Sequence, residues 1–322
     1  MNKKKIIKLL KVVLPILLGV FFIYLSFSSS TPQEREELWQ NILNAKPFFI
    51  GLSLLCGFLS HLSRAYRWKY LLEPLGYQIK FRNSFMAVMS AYLANLGIPR
   101  SGEVLRAATI TTYENIPFEK NFGTIISERM IDLVMLLLIV GITLLWQTET
   151  LLQVFETYQI NPLFTFGALI ILIALGVLFL KLIKNSTHPL LQKIKKLGSG
   201  ILKGIKSVLK LKHKVAFFLH TIFIWTMYIT MFFLIKFAVP GAEEIPFAAI
   251  MVAFVVGSFA ISITNGGIGV YPVAIGAVLL LYGIPKQTGE AFGWVIWGSQ
   301  TLLNIVLGGL SMLLLPILNR KK

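Results

Sequence analysis

Asn95, Pro99, Arg100, Ser101, Gly102, Glu103 and Arg106 fall within one short stretch between two apolar segments. Proline and glycine there interrupt a helix, and a helix that resumes after the break presents free N–H groups and the positive end of its dipole. Arginine adds a planar fork that binds phosphate oxygens in pairs. Together they point to anion binding, with a phosphate as the natural guest. A second broken stretch holds Asn265, Gly266, Gly267, Gly269 and Tyr271 followed by Pro272. It offers an amide and unobstructed backbone donors.

Two further groups carry charge. Glu128, Arg129 and Asp132 are spaced so that Asp132 lies one helical turn from the other two and Arg129 can pair with a neighbouring carboxylate. These acids, with Glu103, either neutralise the arginines when the site is empty or carry a coupling proton or cation. Arg64 and Arg67 share one helical face at a basic, aromatic boundary. They read equally as ordinary interfacial anchors and as a lipid-phosphate site. The four histidines and the single Cys56 have no metal-ligand spacing, and Cys56 excludes an intrachain disulfide. With no nucleophile and base pair, P-loop or dinucleotide motif, the expectation is a non-enzyme with no catalytic residue, metal or cofactor.

The elements that position these residues are membrane helices. The chain of 322 residues is 56% hydrophobic, and its mean hydropathy is +0.73. A soluble domain would lie near neutral hydropathy with about 25% charge. A net charge of +17 raises the question of nucleic acid, but the charges segregate relative to the apolar runs. Proposed inner segments hold 24 Lys and Arg and three acids; proposed outer segments hold three Lys and Arg and eight acids. That bias puts both termini in the cytoplasm and leaves no call on nucleic acid.

Taken in order, a Lys-rich start precedes an apolar run to about residue 30, read as an uncleaved first span against a signal peptide. An acidic outer segment follows, then a span from Pro47 to about Ser63. A hairpin has arms at residues 83 to 96 and 103 to 113, with Ser101 as the expected N-cap of the second arm. A span from Asn121 to Trp146 completes the first half. The second half opens with a span at 162 to 182. Lys181 to Lys214 then carries ten lysines and no acid, on a period that reads as an amphipathic cytoplasmic helix. A span from 215 to 239 follows, with Lys236 expected to reach towards Glu243 and Glu244. A second hairpin from Pro246 to Tyr282 and a last span from 291 to 315 end the chain.

The expected fold is an all-α polytopic membrane protein, with about six full transmembrane helices plus two re-entrant helical hairpins in an inverted repeat. One integral membrane domain, residues 1–322, would comprise half one (about 12–146) and half two (about 162–316), with 181–214 as the basic linker. Breaks that serve packing alone in a non-transporting protein are the alternative.

Four groups of residues carry a resemblance: Arg64-x-x-Arg67-Trp68; Asn95-x-x-x-Pro99-x-x-Gly102-Glu103-x-x-Arg106; Glu128-Arg129-x-x-Asp132; and Gly266-Gly267-x-Gly269. In this order they resemble the transmembrane, flippase-like domain of lysylphosphatidylglycerol synthases and its stand-alone bacterial relatives. The resemblance implies a helical membrane domain that handles phospholipids or lipid-linked substrates. Two positions depart from it: Tyr271 and Pro272 stand where the family often has an acid, and Gln300 where it has a basic residue. The soluble aminoacyl-transfer domain of the synthases is not expected after Lys322.

The resulting expectation is a protein of the bacterial cytoplasmic membrane that binds and translocates an anionic phospholipid or lipid-linked envelope precursor. Its partners are membrane lipids and an envelope-biosynthesis enzyme, with no nucleic acid. Two alternatives remain: a membrane scaffold for such an enzyme, and a membrane-embedded lipid transferase.

Overall fold

The computed structural model describes residues 17, 19–148, 208, 210–264 and 266–320. The expected span at 162–182 and most of the lysine-rich linker therefore lie outside the described residues. All regular structure among the described residues is helical. They divide between two compact units, one drawn from Met1–Ile125 and Lys212–Lys322, the other from Ile126–Leu211.

Among the described residues, four helical segments are long and apolar enough to cross a bilayer: Pro47–Leu75, Phe118–Trp146, Lys214–Ile235 and Lys286–Leu318. In chain order the helices are α1 (Gly19–Ser28), α2 (Pro32–Leu43), α3 (Pro47–Arg67), the single turn α4 (Lys69–Leu72), α5 (Phe81–Gly97), α6 (Gly102–Glu114) and α7 (Phe118–Trp146). Then come α8 (Lys214–Ile235), α9 (Phe247–Ile263), α10 (Val270–Leu280) and α11 (Lys286–Leu318). Most run a few residues beyond the expected bounds.

The two broken stretches form helical hairpins, α5–α6 and α9–α10. At 1.5 Å per residue the arms are about 25, 20, 25 and 17 Å long, all short of a hydrocarbon core of about 30 Å. The outer ends of the first hairpin meet: Glu114 accepts from the Asn83 amide at 2.5 Å and from the Lys80 backbone N–H at 3.4 Å. Asn83 and Asn319 exchange amide hydrogen bonds at 2.9 Å, so the end of α11 sits at the same face.

The larger unit is built on two seams. Along α3 and α8, Ser53 donates to the Met231 carbonyl at 3.0 Å, and Ser63 lies 2.8 Å from His220 Nδ1. Arg67 donates to Thr221 at 2.8 Å and sits 5.0 Å over the Phe217 ring. Along α10 and α11 the helices touch through glycine. A Cβ on Gly293 would stand 2.6 Å from Pro272 Cα, and one on Gly289 2.9 Å from Gly276 Cα. Lipid supplies no hydrophobic drive between helices, so small residues that admit close backbone approach do this packing instead.

At the opposite face, α2 starts on a capping box between Thr31 and Glu34. Ser26 of α1 donates to both oxygens of the buried Glu290 at 2.8 and 2.7 Å, which ties the first helix to the last. Lys46 pairs with Glu243 at 3.2 Å. Lys236 departs from expectation: its ammonium donates to the Ile245 carbonyl at 2.9 Å. That carbonyl lies just before α9 and takes up the ammonium's hydrogen bond in place of the acids.

In the smaller unit, the ion pairs read from spacing are present. Arg129 lies 3.5 Å from the fully buried Glu128 and 3.7 Å from Asp132. Further along α7, Leu137, Leu138, Ile142 and Leu145 are exposed, as a lipid-facing surface requires.

The glycine seam is testable. Gly293→Ala should lower the thermal unfolding temperature of the purified protein, because overpacking costs about 1–3 kcal/mol. Gly298→Ala on the same helix, where a Cβ meets nothing within 4 Å, should leave it unchanged.

Candidate functional site

The first break is held by its own side chains. Asn95 Oδ1 accepts from the Gly102 N–H at 2.7 Å and so caps α6. Ser101 stands at the N-cap position but does not act as the expected cap. Its hydroxyl donates to the carbonyls of Ile98 and Ala94 at 2.8 and 3.1 Å. Both carbonyls also accept backbone N–H bonds, from Ser101 and Ile98 respectively, so the hydroxyl reinforces the turn at the end of α5. Gly102 is a packing requirement, since a Cβ there would overlap the Ala91 carbonyl oxygen.

Arg100 completes the turn with φ 62°. The left-handed region costs a side chain like arginine about 1–2 kcal/mol, and such strain gathers where a site needs it. Arg100 is exposed.

The second break runs through three glycines of positive φ, Gly266, Gly267 and Gly269. Trp297 of α11 donates its indole N–H to the Gly266 carbonyl at 2.7 Å. Gly269 approaches the backbone of Gly19 on α1 so closely that a Cβ on it would overlap the Gly19 carbonyl oxygen. The glycines are thus explained by turn geometry and close approach. Asn265 lies outside the described residues.

The breaks meet, with the Leu96 side chain against Gly266. Around this junction lies a cavity of about 500 Å³. The first hairpin contributes Tyr92, Asn95, Pro99, Arg100 and Glu103, and the second Ser262, Thr264, Gly266 and Tyr271. Its other walls are His61 of α3, Tyr228 and Met231 of α8, and Trp297, Gln300, Thr301 and Asn304 near the middle of α11. A cavity of this size is typical of a small-molecule site.

Of the residues singled out from sequence, the cavity therefore brings together Asn95, Arg100, Glu103, Gly266, Tyr271 and Gln300. Arg64 stands behind the wall, with its guanidinium 3.4 Å from the Tyr228 hydroxyl. Arg67 serves the α3–α8 seam. Arg106 is buried with its guanidinium 3.8 Å over the Trp68 ring, and Trp68 in turn donates to Thr124 at 2.9 Å. Ser101, Gly102, Gly267 and Gly269 shape the breaks. Glu128, Arg129 and Asp132 belong to the smaller unit.

The cavity also uses residues that sequence reasoning missed. Trp297, Thr301 and Asn304 fall with Gln300 at helical spacing on one face of an otherwise apolar helix. That stripe was the available signal. His61 read as a packed or interfacial residue; it is buried, with its ring 4.6 Å from Tyr92. Neither Tyr92 nor Tyr228 carries a local motif, and their hydroxyls lie 3.4 Å apart.

The comparisons with known proteins agree with this architecture. The family described as Lysylphosphatidylglycerol synthase TM region matches residues 12–308. The chain belongs to this family. A UPF0104 membrane protein, MJ1595, of Methanocaldococcus jannaschii is 28% identical over 100 residues, 30% of each chain. Glycosyltransferase AglD of Haloferax volcanii is 25% identical over 118 residues, 36% of this chain and 19% of that protein. The matches thus span less than a third of either relative's length. No solved structure matches. The family match runs through both hairpins and α7, so all the cavity walls lie within its bounds.

The two hairpin arginines should separate on substitution. Arg106→Ala should destabilise the protein by about 2 kcal/mol through loss of a desolvated cation–π contact. Arg100→Gly should leave stability unchanged or slightly raised, because glycine accepts positive φ without strain. Thermal unfolding in detergent reads both, and an equal loss in the two variants would make Arg100 structural.

Proposed function

We propose that this protein binds an anionic phospholipid or lipid-linked envelope precursor and moves its headgroup across the bilayer through the cavity between the two hairpins. The observation that carries the reading is the cavity itself. It lies where two short-armed hairpins meet and holds a cation, Arg100, on a strained, exposed turn. A cavity that carries polar groups between apolar helices is a route for a headgroup, while the acyl chains stay in lipid. Broken helices meeting near the centre of the protein are the general arrangement of alternating-access transporters.

In this reading Arg100 receives the phosphate, and Glu103, on the same wall, neutralises Arg100 when the site is empty. The Glu128, Arg129 and Asp132 cluster locks α7 by internal pairing and needs no further role. The membrane is the cytoplasmic one, with both termini inside, as the charge bias favours.

A membrane-embedded transferase is the second reading, favoured by the name of the haloarchaeal relative. One preparation distinguishes the two. Purified protein in proteoliposomes is given fluorescent phosphatidylglycerol, its lysyl ester and a neutral lipid, and leaflet exchange is followed beside the mass of each lipid. Headgroup-dependent exchange with unchanged masses, reduced about tenfold or more in Arg100→Ala, is expected from the loss of a charge-assisted phosphate contact. A change in headgroup mass would establish the transferase instead. No exchange above empty vesicles by folded protein would end the transport reading.

A further inference from the structure

Part of the cavity lining is neutral and polar, and its unmet hydrogen bonds describe a guest. Gln300 Nε2 is buried without a hydrogen-bond partner, and His61 and Asn304, whose side chains interact with one another, leave Nδ1 and Oδ1 without a well-formed bond among the described residues; all three residues line the cavity. His61 is only 5% exposed. Gln300 cannot turn away easily, because its Oε1 is packed against Gly57 of α3, where a Cβ would come within 2.5 Å. A buried polar atom left without a partner costs about 1–3 kcal/mol, so the three together favour whatever satisfies them.

Their chemistry is mixed. Gln300 Nε2 only donates, Asn304 Oδ1 only accepts, and a histidine ring nitrogen does either according to tautomer. A phosphate oxygen only accepts and would face Asn304 Oδ1 unfavourably. An ammonium only donates and would leave Gln300 Nε2 unmet. Hydroxyl groups both donate and accept, and several on one compact frame satisfy all three atoms at once. Tyr92, Tyr228 and Trp297 add flat, apolar ring surface with polar tips beside them, suited to the C–H faces of such a frame.

We infer that the cavity is selective for a polyhydroxylated headgroup, a sugar- or inositol-type ring joined to a lipid through phosphate, with the ring against Gln300, Asn304 and His61 and the phosphate at Arg100. This names the substrate class of the site proposed above and rests on that reading for the cavity's role. It also accounts for Gln300, where the family resemblance led to a basic residue. An amide there reads hydroxyls without adding a second charge.

The test is binding, measured apart from transport. Full-length protein in nanodiscs is titrated with phosphatidylinositol, phosphatidylmethanol and phosphatidylethanolamine of identical acyl chains, using native mass spectrometry. The first two carry the same charge and differ in hydroxyls, and the third presents an ammonium. Phosphatidylinositol should bind at least about tenfold more tightly than either, since a site built around hydroxyls rejects analogues that lack them. Gln300→Met and Asn304→Leu should each reduce that preference to within about twofold, while Arg100→Ala should weaken both anionic lipids and keep their ratio. Equal binding of the two anionic lipids, a preference for the ammonium lipid, or a preference that survives both amide substitutions in folded protein would overturn the inference. Selective binding without leaflet exchange would sink the transport reading alone, and exchange without selectivity would sink this one alone.

Discussion

The structure depends on one constraint: a backbone that leaves its helix inside an apolar layer must find new partners for the groups it frees. Both hairpins break between short apolar arms, and each solves the problem with side chains of its own stretch or its nearest neighbour. Asn95 and Ser101 close the first break, and Trp297 receives the second. These bonds make two non-helical turns possible side by side. A cavity between them is the consequence, since turning chain packs less densely than helix.

Close approach is the second half of the same solution. Gly102 against Ala91, Gly269 against Gly19, and Gly293 against Pro272 each place backbone on backbone. Such contacts gather many weak dispersion terms in a medium where apolar burial gives helices little reason to associate. They also fix the helices at distances that a single added methyl would upset. Arg67 and Arg106 contribute in another way, each lying over an aromatic ring of its own unit. Two arginines that look like ligands in the sequence thus also make packing contacts.

Much of the architecture was legible because hydropathy, breaker residues and charge bias report on membrane depth directly. The hairpins, the long spans, and the pairing of Arg129 with its acidic neighbours were all readable this way. The site was legible only where a residue announced itself by charge or by a break, as Arg100, Asn95 and Gly266 do. Most of its neutral half was not. Asn304 and His61 lie on different elements within long apolar runs, and only the third dimension shows that they face one space with Gln300. Local chemistry misled at Ser101, whose hydroxyl bonds the carbonyls of the preceding turn while Asn95 holds the Gly102 amide.

The two breaks differ in what anchors them. The bonds named at the first run within the hairpin, from Asn95 to Gly102 and from Ser101 to Ala94 and Ile98. The second reaches outward, with a bond from Trp297 on the last helix and a close approach to the backbone of Gly19 on the first. The first turn is a clasp fastened to itself, and Arg100 sits on it. The second is sewn in part to its neighbours.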